Sequence, residues 1–207
     1  MTNSRPAITL AITGASGAIY GLRLLEQLVA AERTVYLVIS NPAKVVLATE
    51  LDVILPMESS QIQTFLATRY QAQPKQLQVF DLNQWTAPPA SGSAKVQAMV
   101  VCPCSGGTLS AIANGLSRSL IERAAEVMLK EQRKLILVTR ETPLSVIHLE
   151  NMLRLARLGC VILPASPGFY YQPQRIEQLV DFIVARILDQ LDIPHNLLPR
   201  WGDDEQN

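Results

Sequence analysis

Thr13-Gly14-Ala15-Ser16-Gly17 leads from a short apolar run into a helix-like one, with Gly21 further on. Glycines let a backbone approach a bound group, and a helix start offers unpaired N–H groups and a positive dipole end. A phosphate or an electron-rich ring edge suits such a turn; the plainer alternative is an ordinary strand–helix connection. Ser105-Gly106-Gly107-Thr108 is a second small, hydroxyl-rich turn, which could form an anion nest or merely a serine-capped helix. Ser40, just before Asn41-Pro42, places a third hydroxyl at a helix start. Three phosphate-suited turns say more together than any one alone.

Basic groups accompany them. Arg123 and Lys130 are seven apart and so share one helix face, Arg140 stands beside Glu141, Arg186 lies within a long helix, and Tyr170 sits in a Pro/Gly loop. Each has a bland reading: Lys130 could pair with Glu126, and Arg186 could be solvated. His148 and His195 suggest no triad or metal site. Nicotinamide chemistry is disfavoured. The glycine spacing is not G-x-G-x-x-G, no Asp or Glu occurs from Arg33 to Thr49 to hold a ribose diol, and no Tyr has Lys four residues later.

The elements that must position these groups alternate. β-branched and apolar runs predict strands over 8–13, 34–39, 77–80, 99–102 (stopped by Pro103), 135–139 and 161–163. Helical spacing falls over 18–32, 42–49, 61–70, the stretch after Thr108 to about Asn114, 120–131, 145–158 and 175–191. Residues 81–95 read as a long loop. This alternation implies an α/β fold: a three-layer, Rossmann-like (flavodoxin-like), mostly parallel sheet with helices on both faces. Ligands of such folds sit outside the carboxyl ends of the strands, where the turns above fall.

The 207 residues are read as one domain, 1–207, with a tail from about 192, for want of any repeat or linker. Apolar residues make up 48%, enough for a core, and the formal net charge of zero argues against a nucleic-acid partner. No apolar run is long enough for a membrane span, and no signal-like segment precedes the first strand. Cys102, Cys104 and Cys160 cannot all pair, and their spacing does not suit zinc, so a cytoplasmic location is expected.

With these motifs placed, the chain resembles flavin prenyltransferases of the UbiX type. The resemblance rests on TGASGAIYGLRLL (13–25), PASGS (89–93), CPCSGGTLS (102–110), LIERAAEVMLKEQRKLILVTRETPLS (120–145), HLENM (148–152), PASPGFYYQPQ (164–174) and LLPRW (197–201), in order along nearly the whole chain. It implies transfer of a dimethylallyl group from dimethylallyl monophosphate to N5 and C6 of reduced FMN. The product, prenylated FMN, would serve UbiD-type decarboxylases, for example in ubiquinone biosynthesis. It also implies metal independence and a homo-oligomer, a dodecamer with sites at subunit contacts.

By the same resemblance, Gly14, Ala15, Ser16, Ser40, Ser105, Gly106, Gly107, Thr108 and Arg140 would bind FMN. Tyr170 and Arg186 would hold the prenyl phosphate, with Lys130 and Arg123 as further basic residues. Ser16, Glu50 and Glu141 would surround the reacting flavin, and Trp85 and Trp201 would line the prenyl pocket. Ser16, Glu50, Glu141 and Lys130 are thus the catalytic candidates, Glu141 accepting a proton with Ser16 as its hydrogen-bonding partner. The residue types suit this chemistry: Arg and Lys neutralise a departing phosphate, and aromatic faces suit a cationic allyl group. Acidic clusters that carry magnesium are lacking, since Asp203-Asp204-Glu205 reads as a solvated tail. Rival readings are a flavin-dependent cysteine decarboxylase, a non-catalytic flavin carrier, and direct decarboxylation. The first needs a catalytic His and an Asn-containing turn where this chain has Pro103 to Thr108. The second would not need the Lys130, Glu141, Tyr170 and Arg186 set.

Overall fold

Six parallel strands form one sheet in the order β3-β2-β1-β4-β5-β6. They are β1 (Ala7–Ile12), β2 (Val35–Ile39), β3 (Leu77–Phe80), β4 (Val96–Cys104), β5 (Lys134–Thr139) and β6 (Val161–Ile162). The computed structural model describes residues 6–198. Every residue of β1 is buried, as expected of a strand covered on both faces. Leu10 lies between Leu37 of β2 and Val100 of β4. The strand order reverses at β1, which makes the crevice between β1 and β4 the expected ligand site.

Among the described residues, seven helices cover the faces: α1 (Ala18–Ala30), α2 (Asn41–Leu51), α3 (Ser59–Tyr70), α4 (Gly106–Ala113), α5 (Leu120–Lys130), α6 (Val146–Arg157) and α7 (Ile176–Gln190). Ile8, Leu10 and Ile12 point to one side, into a core with Leu25 and Leu28 of α1 and Ile183 and Ile187 of α7. Met99, Val101 and Leu137 point to the other, against Leu109 of α4 and Val127 and Met128 of α5. Arg23 of α1 donates to both carboxylate oxygens of Asp181 of α7, Nε at 2.7 Å and Nη2 at 3.3 Å, fixing the two helices side by side.

The sheet is wholly parallel rather than mostly so. Pro103 does not end the fourth strand either: β4 continues to Cys104, and its register against β5 shifts between Val101 and Cys104. Proline has no N–H to give the ladder, but its carbonyl is still an acceptor, and Thr13 uses it. The loop over 81–95 contains a single 3-10 turn, Pro88–Ala90.

Candidate functional site

Thr13 ties the glycine turn to the end of β4. Its hydroxyl donates to the Pro103 carbonyl (2.7 Å) and accepts from the Ser105 N–H (2.8 Å), and its own N–H also reaches Pro103 O (3.3 Å). The side chain is almost fully buried, so both turns are held to one geometry by a hydrogen bond shielded from water. Thr13 was not among the expected site residues. Its only trace in the sequence is a polar group closing an apolar strand.

Past Thr13, Ser16 is exposed and Gly17 takes a left-handed conformation (φ 98°), which favours glycine. The Glu50 carboxylate, from the end of α2, accepts from Gly17 N–H (2.9 Å and 3.2 Å) and Ala18 N–H (3.1 Å). The first amides of α1 are therefore held by Glu50, and the donors left for a ligand lie earlier, over Gly14 to Ser16. Arg140 closes the other side, its Nε donating to Ser16 O at 3.3 Å.

Ser40 and Ser105 are both N-cap residues on this same edge. Ser40 Oγ accepts from Ala43 N–H (3.2 Å), and Ser105 Oγ accepts from Thr108 N–H (3.3 Å) while donating to Thr108 Oγ1 (3.0 Å). Helix α4 begins at Gly106, so the expected turn over 105–108 is the first turn of that helix. The amides of Gly106 and Gly107 point beyond the helix without an intrahelical acceptor, and a Cβ on Gly107 would meet nothing within 4 Å. Small, open positions with leftover donors beside Thr13, Ser16 and Arg140 fit an anionic, flat-ringed ligand such as FMN.

Glu141 follows Arg140. Its Oε1 accepts from Thr142 N–H at 3.1 Å, so its bond is to backbone and not, as expected, to Ser16. Its Oε2 faces Gly106, as does Nε2 of His148. His148 is the third residue of α6 and forms a capping box with Ser145: Ser145 N–H donates to His148 Nδ1 (3.2 Å), and His148 N–H to Ser145 Oγ (3.3 Å).

The remaining basic residues stand elsewhere. Lys130 ends α5, which runs back across the sheet to the amino ends of the strands. It pairs with Glu131 rather than Glu126, and holds that carboxyl below the usual carboxylate range by its hydrogen bond and charge. Beside it, Arg133 donates to Gly92 O (2.6 Å) and Ala94 O (2.8 Å), just before β4 begins. Arg123 binds Glu126 (2.9 Å) and Ala90 O (3.1 Å). Arg186 pairs with Asp189 at 2.7 Å, one turn before Gln190, whose carbonyl accepts from Lys134 at the start of β5. Lys130 and Arg186 therefore lie at the opposite edge of the sheet from Gly14, and one chain does not assemble the expected phosphate clamp. Tyr170, 74% exposed, follows Ala165, whose N–H donates to Thr139 O, and so belongs to the carboxyl edge. Trp85 is half exposed in the loop after β3. Trp201 lies outside the described residues. Among the described residues no three His, Cys, Asp or Glu side chains stand together as metal ligands.

The family described as Flavoprotein matches residues 1–188. Flavin prenyltransferase UbiX of Pseudomonas aeruginosa is 61% identical over 196 residues, covering 95% of this chain and 94% of that protein. The chain belongs to the UbiX flavin prenyltransferase family. The UbiX protein of Methanocaldococcus jannaschii is 46% identical over 94% of this chain and 98% of its own length.

Among solved structures, AnUbiX (PadA1) in complex with FMN and dimethylallyl pyrophosphate superposes with a TM-score of 0.85 at 41% identity, covering 97% of this chain and all of that one. A dodecameric, FMN-dependent UbiX-like decarboxylase from Escherichia coli O157:H7 follows at 0.82 and 38%, covering 95% and 99%. A cysteine decarboxylase of thioviridamide biosynthesis, at 17% identity and a TM-score of 0.55, shares the fold alone. UbiX membership thus agrees with the carboxyl-edge arrangement and removes the cysteine decarboxylase as a competing assignment.

Proposed function

We propose that this chain transfers a dimethylallyl group from dimethylallyl monophosphate to N5 and C6 of reduced FMN, without a metal, yielding prenylated FMN for a UbiD-type decarboxylase. The observation that carries the reading is the carboxyl edge itself: the Gly14–Ser16 turn, the α4 start and Arg140 are drawn together by Thr13 and Ser16 within a chain of UbiX sequence.

FMN supplies the nucleophilic ring atoms. Gly14, Ala15, Ser16, Ser40, Ser105, Gly106, Gly107, Thr108 and Arg140 would hold and orient it. As the donor's carbon–oxygen bond breaks, negative charge grows on the phosphate and positive charge on the allyl group. Lys130, Arg186, Arg123 and the Tyr170 hydroxyl are suited to the first, acting as donors fixed before reaction. Trp85 and Trp201 are suited to the second through their π faces. Glu141 accepts the proton displaced in ring closure. Because Lys130 and Arg186 lie on the far edge of their own chain, the clamp is completed by neighbouring copies. Exposed apolar residues of α6, including Val146 and Ile147 at 69% and 66%, support such contacts, and a dodecamer is the expected assembly.

One flavoprotein domain spans residues 1–207, with a tail from about 192. No helix among the described residues is long and apolar enough to cross a membrane, and three free thiols support a cytoplasmic location. The test is anaerobic incubation with reduced FMN and either dimethylallyl monophosphate or the pyrophosphate. Mass spectrometry should find flavin gaining one C5H8 unit with the monophosphate. No such product from either donor would refute the activity, and product from the pyrophosphate alone would refute the donor.

A further inference from the structure

We infer that Asp189, itself aimed by His195, is a positioning residue for Arg186 and sets which edge of the guanidinium meets the prenyl phosphate. This rests on the reading above that Arg186 holds that phosphate. Three hydrogen bonds in series carry it. Arg186 Nη1 donates to Asp189 Oδ2 at 2.7 Å, one turn along α7. The other oxygen, Oδ1, accepts from His195 Nε2 at 3.1 Å. His195 Nδ1 in turn accepts from the Leu197 N–H at 3.4 Å, which puts the imidazole proton on Nε2, the atom facing Asp189.

The segment beyond α7 brings the imidazole there. Ile193 is buried in the same core as Ile187 and Leu188 of α7, its N–H bonded to Leu188 O (3.0 Å), and Leu197 packs against that core. Between these two anchors His195 turns back to the last turn of α7, with its side chain only 12% exposed. Arg186 and Asp189 are themselves about half exposed (54% and 40%), and an exposed pair of this kind adds little stability. Its direction is a separate matter: a carboxylate tied at both oxygens cannot rotate away from the guanidinium without breaking the shielded bond to His195. Lys134 is engaged with Gln190 O and Asp192, and so does not compete for Asp189. With Nη1 taken, Arg186 keeps its Nε–H and Nη2–H edge, which has no partner among the described residues and matches two oxygens of a phosphate.

A carboxylate that aims Arg186 and one that merely offsets its charge have opposite consequences when removed. The readout is calorimetric titration of dimethylallyl monophosphate into the protein loaded with oxidised FMN, which lacks the reduced flavin needed for transfer. Asp189→Ala should weaken donor binding roughly threefold to tenfold, because the freed guanidinium must then be ordered on binding. The FMN dissociation constant should not change, and in an R186A background D189A should have no further effect, since Asp189 acts through Arg186. His195→Phe should produce a similar loss, and His195→Gln, whose amide can still donate to Asp189, should restore most of it. Donor binding by D189A that is unchanged or tighter would overturn the inference, as the carboxylate would then only offset positive charge. So would a D189A loss that persists without Arg186, or equal binding by H195F and H195Q. Should D189A fail to fold, the H195F and H195Q pair decides alone. If R186A binds the donor as tightly as the unsubstituted protein does, it is the assignment of Arg186 to the prenyl phosphate that fails instead.

Discussion

Glu50 and Gly17 stand 33 residues apart in sequence, and the Glu50 carboxylate closes on the Gly17 amide at 2.9 Å. The same carboxylate takes the Ala18 amide, so a side chain from the end of α2 caps α1. A negative group at a helix start is favourable both as hydrogen-bond acceptor and against the dipole. Glu50→Ala should cost about 1 kcal/mol of stability, with Glu50→Gln losing less because one amide oxygen remains. Urea unfolding of the ligand-free chain checks this. A catalytic role for Glu50 in addition would appear as a fall in turnover of Glu50→Gln well beyond its small loss of stability.

Thr13 gives a second separable effect. Its buried hydroxyl donates to Pro103 O and accepts from Ser105 N–H, so removing it leaves the Ser105 N–H unpaired and Pro103 O with only the longer bond from the Thr13 N–H. Thr13→Val should destabilise the fold by about 1–3 kcal/mol and weaken FMN binding, because the two turns are no longer held together. Thr13→Ser keeps the hydroxyl and should bind FMN nearly as the unsubstituted chain does. Flavin fluorescence titration distinguishes them; equal weakening by both would mean that the methyl group, not the hydroxyl, carries the effect.

The strands were legible because buried parallel strands are written as apolar, β-branched runs, TVYLVI before Ser40 being one. The helix starts were legible where a serine stood in front, as Ser40 and Ser105 do. What escaped was non-local. Pro103 looked like a stop because its missing N–H is a local property, whereas the register shift that accommodates it depends on β5. The contacts of Glu50 are set by Gly17 and Ala18, brought near only by folding. The separation of Lys130 from Gly14 was available in principle: a helix following β4 and feeding β5 must end at the amino edge of the sheet. The resemblance named Lys130 as part of the site without saying which copy's site it serves.

Burial pushes all three thiols up, Cys104 to about 12 and Cys160 to about 11, with Cys102 raised further still. A thiol with a raised folded-state pKa binds its proton more tightly in the native protein than in the unfolded chain, where it titrates near 8.5. Its contribution to stability is complete below that value and is lost as pH rises toward the folded-state pKa. Stability should therefore fall between about pH 8.5 and 11, and Cys104→Ala should flatten the fall. Denaturant midpoints at several pH values measure it. A thiol reagent at pH 8 should leave the folded protein unmodified and react with all three cysteines once urea is added.

Lys130 and Arg140 lie at opposite edges of one sheet, so a site that uses both must take them from different copies. Lys130→Ala and Arg140→Ala should each abolish most activity when assembled alone. Co-assembled, the two variants generate some sites with an intact Arg140 from one copy and an intact Lys130 from another. Random mixing in equal amounts should restore roughly a quarter of the unsubstituted activity, since each of two positions is intact half the time. If one chain supplied both groups to its own site, every site in the mixture would carry one defect and no activity would return. Flavin binding separates the two losses: Arg140→Ala should weaken FMN, whereas Lys130→Ala should leave FMN bound and weaken the prenyl phosphate. A mixture that stays inactive while remaining fully assembled, as judged by light scattering, would show that the clamp is not shared between copies.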